Sequence, residues 1–99
     1  MMTVIARLKV KSGSEANFEQ EAKKMVAYVT ANEPGTLTYT LNRSTSDPTT
    51  FVFYEIYSDQ AAFAAHGGSE PMQKFFGAVG TLLDGRPEIH MYEEIAGKR

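Results

Sequence analysis

The sequence predicts an α+β fold of the ferredoxin-like, split βαβ kind, in which helices cover one face of a four-stranded antiparallel sheet. Three observations predict it. Four segments alternate apolar and polar residues with the period of a strand, two stretches between them space apolar residues three and four apart like one face of a helix, and capping or turn residues stand at the junctions. The order is strand, helix, strand, strand, broken helix, strand.

Residues 3–11 read as the first strand, with Val4, Ala6, Leu8 and Val10 on one face, Thr3, Arg7, Lys9 and Lys11 on the other, and Ile5 alone breaking the pattern. Ser12-Gly13-Ser14-Glu15 has the spacing of a capping box, which predicts a helix start. Phe18, Ala22, Met25, Val26 and Val29 then form one apolar stripe, and Glu33-Pro34-Gly35 ends the helix because proline cannot continue it. The second strand sets Leu37, Tyr39 and Leu41 against Thr36, Thr38, Thr40 and Asn42. Ser46-Asp47-Pro48 supplies the turn into the third strand, Thr50–Tyr57. That strand is apolar on both faces: Val52, Tyr54 and Ile56 fill one, and Phe51, Phe53 and Tyr57 fill the other, interrupted by Glu55.

Ser58-Asp59 caps a short helix, Gln60 to His66, which Gly67-Gly68 stops and Ser69-Glu70-Pro71 restarts. Met72, Phe75, Phe76, Val79, Leu82 and Leu83 make the stripe of a third helix, Asp84-Gly85-Arg86-Pro87 ends it, and a last strand runs from Glu88 to Ile95 before a polar tail. Helices on one side leave the other sheet face bare. The doubly apolar third strand therefore predicts a homodimer with sheets face to face, provided Arg7 and Lys9 find carboxylates such as Glu55 or Glu93.

Ninety-nine residues, 42% hydrophobic and 22% charged, fit one packed domain over residues 1–99. A net charge of -2 with dispersed lysines and arginines argues against a nucleic-acid partner. Without cysteine, disulfides, thiolate metal sites and cysteine nucleophiles are excluded. No apolar run approaches the ~20 residues of a membrane span, and the N-terminus lacks a signal-peptide core, so the cytoplasm is the expected location.

Glu33-Pro34-Gly35-Thr36-Leu37 followed by Tyr39, then Glu55-Ile56-Tyr57-Ser58-Asp59 with Ala62 and His66 beyond, and Ser69 opening the next helix, resemble the motifs of the antibiotic biosynthesis monooxygenase family. The resemblance runs over essentially the whole chain and implies a dimeric α+β barrel. It leaves the activity open, because the family includes quinol monooxygenases, polyketide-tailoring oxygenases, haem-degrading enzymes and an isomerase of a signalling sugar. The haem-degrading members carry an Asn, a Trp and an axial His where this chain has Ala6, His66 and Phe76. Ala6 cannot hydrogen-bond an iron-bound ligand and Phe76 cannot coordinate iron, so that subtype falls behind.

The function the resemblance implies is a cofactor-independent monooxygenase that oxidises a quinol or polycyclic phenol, with the substrate itself as reductant. Such chemistry needs a base and a dry aromatic pocket. His66 is the first candidate base, since an imidazole titrates near ~6.5; the alternative is a helix C-terminal cap beside Gly67-Gly68. Glu55 is the second, a strand carboxylate between Phe53 and Tyr57 that desolvation would make basic; the alternative is a structural ion pair with Arg7 or Lys9. Tyr39, Tyr57, Phe63 and Phe76 are candidates to line the pocket, and Arg43, with Asn42, to bind a phenolate or carboxyl oxygen. His66 and His90 have no ligand partners at metal spacing, so neither a metal nor a cofactor is expected. An isomerase or lyase on the same scaffold, or a non-enzymatic dimeric small-molecule-binding module, would use the same residues.

Overall fold

Apolar alternation in the first segment produces β1 (Met2–Lys9). The computed structural model describes residues 1–99 and continues with α1 (Glu15–Asn32), β2 (Thr36–Arg43), β3 (Thr50–Tyr57), α2 (Gln60–Gly67), α3 (Glu70–Val79), a 3-10 turn over Gly80–Leu82, and β4 (Glu88–Glu93). The strands pair antiparallel in the order β2-β3-β1-β4, so β1 and β3 are central. This is the βαββαβ plan with its second helix broken.

Register decides which side chains meet. On the helix side of the sheet, Met91, Val4, Glu55 and Tyr39 form one cross-strand row, and Ile89, Ala6, Phe53 and Leu41 form the next. The apolar stripe of α1, with Phe18, Ala22, Met25 and Val29 buried, packs on this face together with Phe75 and Val79 of α3. Phe18 meets Phe51 with ring centroids 4.8 Å apart, which anchors α1 over the sheet. On the other face Ile5, Val52, Tyr54, His90 and Tyr92 have no layer above them, and Tyr54 and Tyr92 are exposed. No helix is long and apolar enough to cross a membrane.

Several boundaries differ from those predicted. The capping box does not form: Gly13 turns the chain at φ 95°, Ser14 becomes the N-cap without a side-chain bond, and Glu15 Oε1 accepts from the Gly13 N–H at 2.5 Å. The reciprocal geometry fails because the turn at Gly13 sets the N-cap two residues later, at Ser14, so Ser12 and Glu15 no longer stand at N-cap and N3. β1 stops at Lys9, and Val10 makes only an isolated bridge with Leu83. That bridge requires an extended Leu83, at φ -83° and ψ 143°, so α3 ends at Val79 and tightens into the 3-10 turn before Leu82 and Leu83. A register shift between Thr36 and Thr38 throws Leu37 out to solvent, so it does not share the inner face with Tyr39. Gly67 closes α2 as its last residue, and β4 ends at Glu93, two residues short of Ile95.

The ion pairs also differ. Arg7 lies on the bare face, where its Nη1 donates to Glu88 at 2.7 Å across the neighbouring strand. Glu55 points the opposite way, toward the helices, so neither Arg7 nor Lys9 reaches it.

Candidate functional site

A cavity of about 360 Å³ lies between the helix side of the sheet and the broken helix. Its floor is the two cross-strand rows, represented by Val4, Ala6, Phe53 and Glu55. Tyr39, Phe63 and His66 form one wall, Met72, Gln73, Phe75 and Phe76 form the other, and Pro87 and Ile89 stand at the β4 side. Of the residues proposed from the sequence, Tyr39, Glu55, Phe63, His66 and Phe76 therefore share one site. Ala6, His66 and Phe76, the three positions compared with the haem-degrading pattern, line it together.

Three proposed residues fall elsewhere. Arg43 sits in the row of Phe51, four residues along β3 from Glu55 and so about 13 Å away at strand rise. There it pairs with Glu19 of α1 and lies over the Phe51 ring at 5.7 Å. Asn42 bonds to Thr40 and to the Val52 carbonyl on the bare side. Tyr57 is fully buried behind the floor rather than in the wall, and its hydroxyl donates to Glu55 Oε1 at 2.5 Å. Its role is to hold the carboxylate.

His66 is placed by α2. Asp59 caps that helix, its carboxylate accepting from the Ala62 N–H at 2.8 Å, and the last turn carries His66 into the interior, where it is only 2% exposed. The ring does not cap carbonyls. Its Nδ1 lies 2.9 Å from Glu33 Oε1, which also accepts from the Thr36 hydroxyl at 2.7 Å. A carboxylate only accepts, so Nδ1 carries the proton, and in the neutral ring Nε2 holds the lone pair. Nε2 has no protein partner, nor does the Tyr39 hydroxyl, whose ring centroid stands 5.0 Å from the imidazole.

Glu33 is the residue that sequence reasoning missed. Read as part of the helix stop, it is in fact the orienting carboxylate of a buried His66–Glu33 pair whose members lie 33 positions apart. One signal was available: an acid at a helix C-terminus works against the helix dipole, and so marks a residue kept for another purpose. Gln73 was missed as well, being an amide on a helix read only for its apolar stripe.

Electrostatics separate the polar groups by role. Burial is the main cause that pushes the Glu55 carboxyl up to about 7; the nearby charge of Glu33 adds to it, and the Tyr57 hydrogen bond partly opposes it. Burial, then the charges of Glu55 and Glu33, push the Tyr39 phenol above its ordinary range. Tyr57 is raised by burial and by Glu55. Both phenols thus stay protonated as donors, while Glu55 exchanges a proton near neutrality. No three His, Cys, Asp or Glu side chains gather where they could hold a metal ion.

Comparison with known proteins adds a family pattern to this geometry. Residues 1–78 match the family model described as antibiotic biosynthesis monooxygenase. Among solved structures, a Caulobacter crescentus protein provisionally named for that family is 33% identical, with a TM-score of 0.92 over 96% of this chain and 90% of its own. A Nitrosomonas europaea protein with the same provisional name is 25% identical, with a TM-score of 0.88 over 97% of this chain and all of its own. A Pseudomonas aeruginosa protein is 27% identical, with a TM-score of 0.86 over 96% of this chain and 94% of its own. No curated protein matches the chain. The structural matches extend past the family model, through β4.

Proposed function

The chain belongs to the antibiotic biosynthesis monooxygenase family, and from that premise we propose that it is a cofactor-independent monooxygenase acting on a quinol or polycyclic phenol in the cavity beside His66 and Glu55. The observation that carries this reading is the presence of two proton acceptors in one aromatic cavity. His66 has Nδ1 fixed by Glu33 and Nε2 free, and Glu55 exchanges its proton at about pH 7.

A flat ring enters between Phe53 of the floor and Phe63 and Phe76 of the walls, which exclude water from it. One acceptor takes the hydroxyl proton as the phenolate forms, and the phenolate passes an electron to O2. For a hydroquinone the balance closes with a hydroxyquinone. The ring gains one oxygen atom and loses two hydrogens, the second oxygen leaves with them as water, and all four electrons come from the substrate. Glu55 and His66 move protons, and the Tyr39 hydroxyl is placed to donate to a developing oxyanion.

Oxygen uptake with a panel of quinols tests this reading, with one atom of 18O expected in the product and loss of turnover in His66→Gln and Glu55→Gln. Oxygen uptake no faster than autoxidation across the panel, with a quinone still raising Tm, would make the chain a binding module instead.

The bare face supports a second copy as partner. Ile5, Val52, Tyr54 and Tyr92 form an apolar surface on two central strands and an edge strand, and a sheet apolar on both faces is stable only when both are covered. The homodimer we propose buries that face and leaves the cavity, on the opposite side of the sheet, outside the sheet-to-sheet contact.

A further inference from the structure

We infer that the cavity selects uncharged aromatic ligands, phenols above all, and rejects aromatic anions such as carboxylates and phosphate esters. The selection deepens the oxygenase reading and takes from it the premise of an aromatic ligand. Its basis is the charge inventory of the wall. Fifteen residues line the cavity and none is Lys or Arg. The charge of Glu55 is uncompensated, since its one hydrogen-bond partner is the neutral Tyr57 hydroxyl. His66 can become cationic, but Glu33 already faces its Nδ1 at 2.9 Å and matches that charge.

None of the ten Lys and Arg side chains of the chain lines the cavity, and several are paired elsewhere. Arg43 pairs with Glu19, Arg7 with Glu88 on the far face of the sheet, and Lys74 with Glu70 in solvent. Arg86 adjoins the lining residue Pro87 but is exposed and not part of the wall. A carboxylate or phosphate on the ligand would therefore lose its hydration and meet Glu55, Gln73, the lone pair of the neutral His66 Nε2 and the protonated Tyr39 hydroxyl, with no cation among them.

A phenol escapes this penalty. When it gives its proton to Glu55, the phenolate appears as the carboxylate disappears, and the number of negative charges in the cavity does not change. A ligand that arrives ionised brings an extra one. The site thus tolerates an anion only when it has itself received the proton.

Binding of isosteric naphthalenes to the intact protein at pH 8 tests this without turnover. The chain has no Trp, so naphthalene fluorescence can be read directly. 2-Naphthol and 2-naphthamide should bind with similar affinity, and 2-naphthoate and 2-naphthyl phosphate at least ~100-fold more weakly, as like-charge juxtaposition in a desolvated site demands. Glu55→Gln should narrow the gap between amide and carboxylate at least ~10-fold. Equal affinity of naphthamide and naphthoate overturns the charge selection and leaves oxygenase activity standing. A naphthamide rejected as strongly as naphthoate also overturns it, because shape is then the cause. Selection intact without oxygen uptake sinks the oxygenase reading and supports the charge rule.

Discussion

At residue scale the site turns on three acceptors, Glu55, His66 and Glu33, held in different ways. Glu55 has the clearest thermodynamic signature. Its folded-state value of about 7 lies above the ordinary 4.5, so between those limits the folded chain holds a proton that the unfolded chain has released. Stability therefore falls as pH rises from about 4.5 to 7, by about 3 kcal/mol in all. Thermal melts across this range should show the decline, and Glu55→Gln should flatten it and raise Tm at pH 8; an unchanged slope would assign the pH dependence to other groups. Glu33 acts through His66. Glu33→Gln should lower kcat by about 10-fold to 100-fold, as loss of a partner orienting a metal-bound histidine does, and should shift the 15N resonances of the His66 ring as its tautomer is released. A loss of kcat with the ring resonances unmoved would remove the positioning role. Glu55 was legible because an acid amid aromatics on a central strand announces desolvation. The alternative weighed for it, an ion pair with Arg7 or Lys9, does not form, since facing depends on strand register, which alternation in one strand leaves undetermined.

At the scale of elements, the junction between α1 and β2 fixes the position of α2. A Cβ on Gly35 would stand 2.7 Å from the Ala62 Cβ, so glycine is needed there for close approach rather than for an unusual backbone angle. Gly35→Ala should cost about 1–3 kcal/mol by overpacking and push α2, with His66, away from Glu33. Calorimetry should show the lowered Tm, and Ala62→Gly added to it should restore most of the loss; absence of rescue would place the strain elsewhere. The order of elements and the cap residues Asp59 and Ser69 were readable because each acts on its own neighbours in sequence, Asp59 on Ala62 and Ser69 on Met72. The Leu37 bulge and the early end of α3 were not. Both answer to partners far along the sequence, β3 for Leu37 and the Val10 bridge for Leu83.

For the whole molecule, the two faces of the sheet divide the work. The helix side encloses the cavity, and the bare side is the surface we assign to a second copy. Sedimentation equilibrium should give twice the chain mass of 10.9 kDa. Tyr54→Lys, which puts a charge in the middle of the bare face, should yield the monomer, whereas an unchanged mass would mean that the two copies meet elsewhere. Oxygen uptake by that monomer would show whether the cavity works without its partner.

Composition, alternation and local turn chemistry were enough to specify the fold class and the element order, and the resemblance of short motifs to the family, read with side-chain chemistry, pointed to five residues that meet in one cavity. Those features depend on neighbours a few positions apart, and a linear sequence displays them. The exclusion of Arg43, the retreat of Tyr57 behind Glu55, and the capture of His66 by Glu33 depend on which rows of the sheet align and where α2 docks. Hydrogen-bonded contacts between residues 33 positions apart are set by packing that the whole chain must complete first, and only the tertiary structure states them.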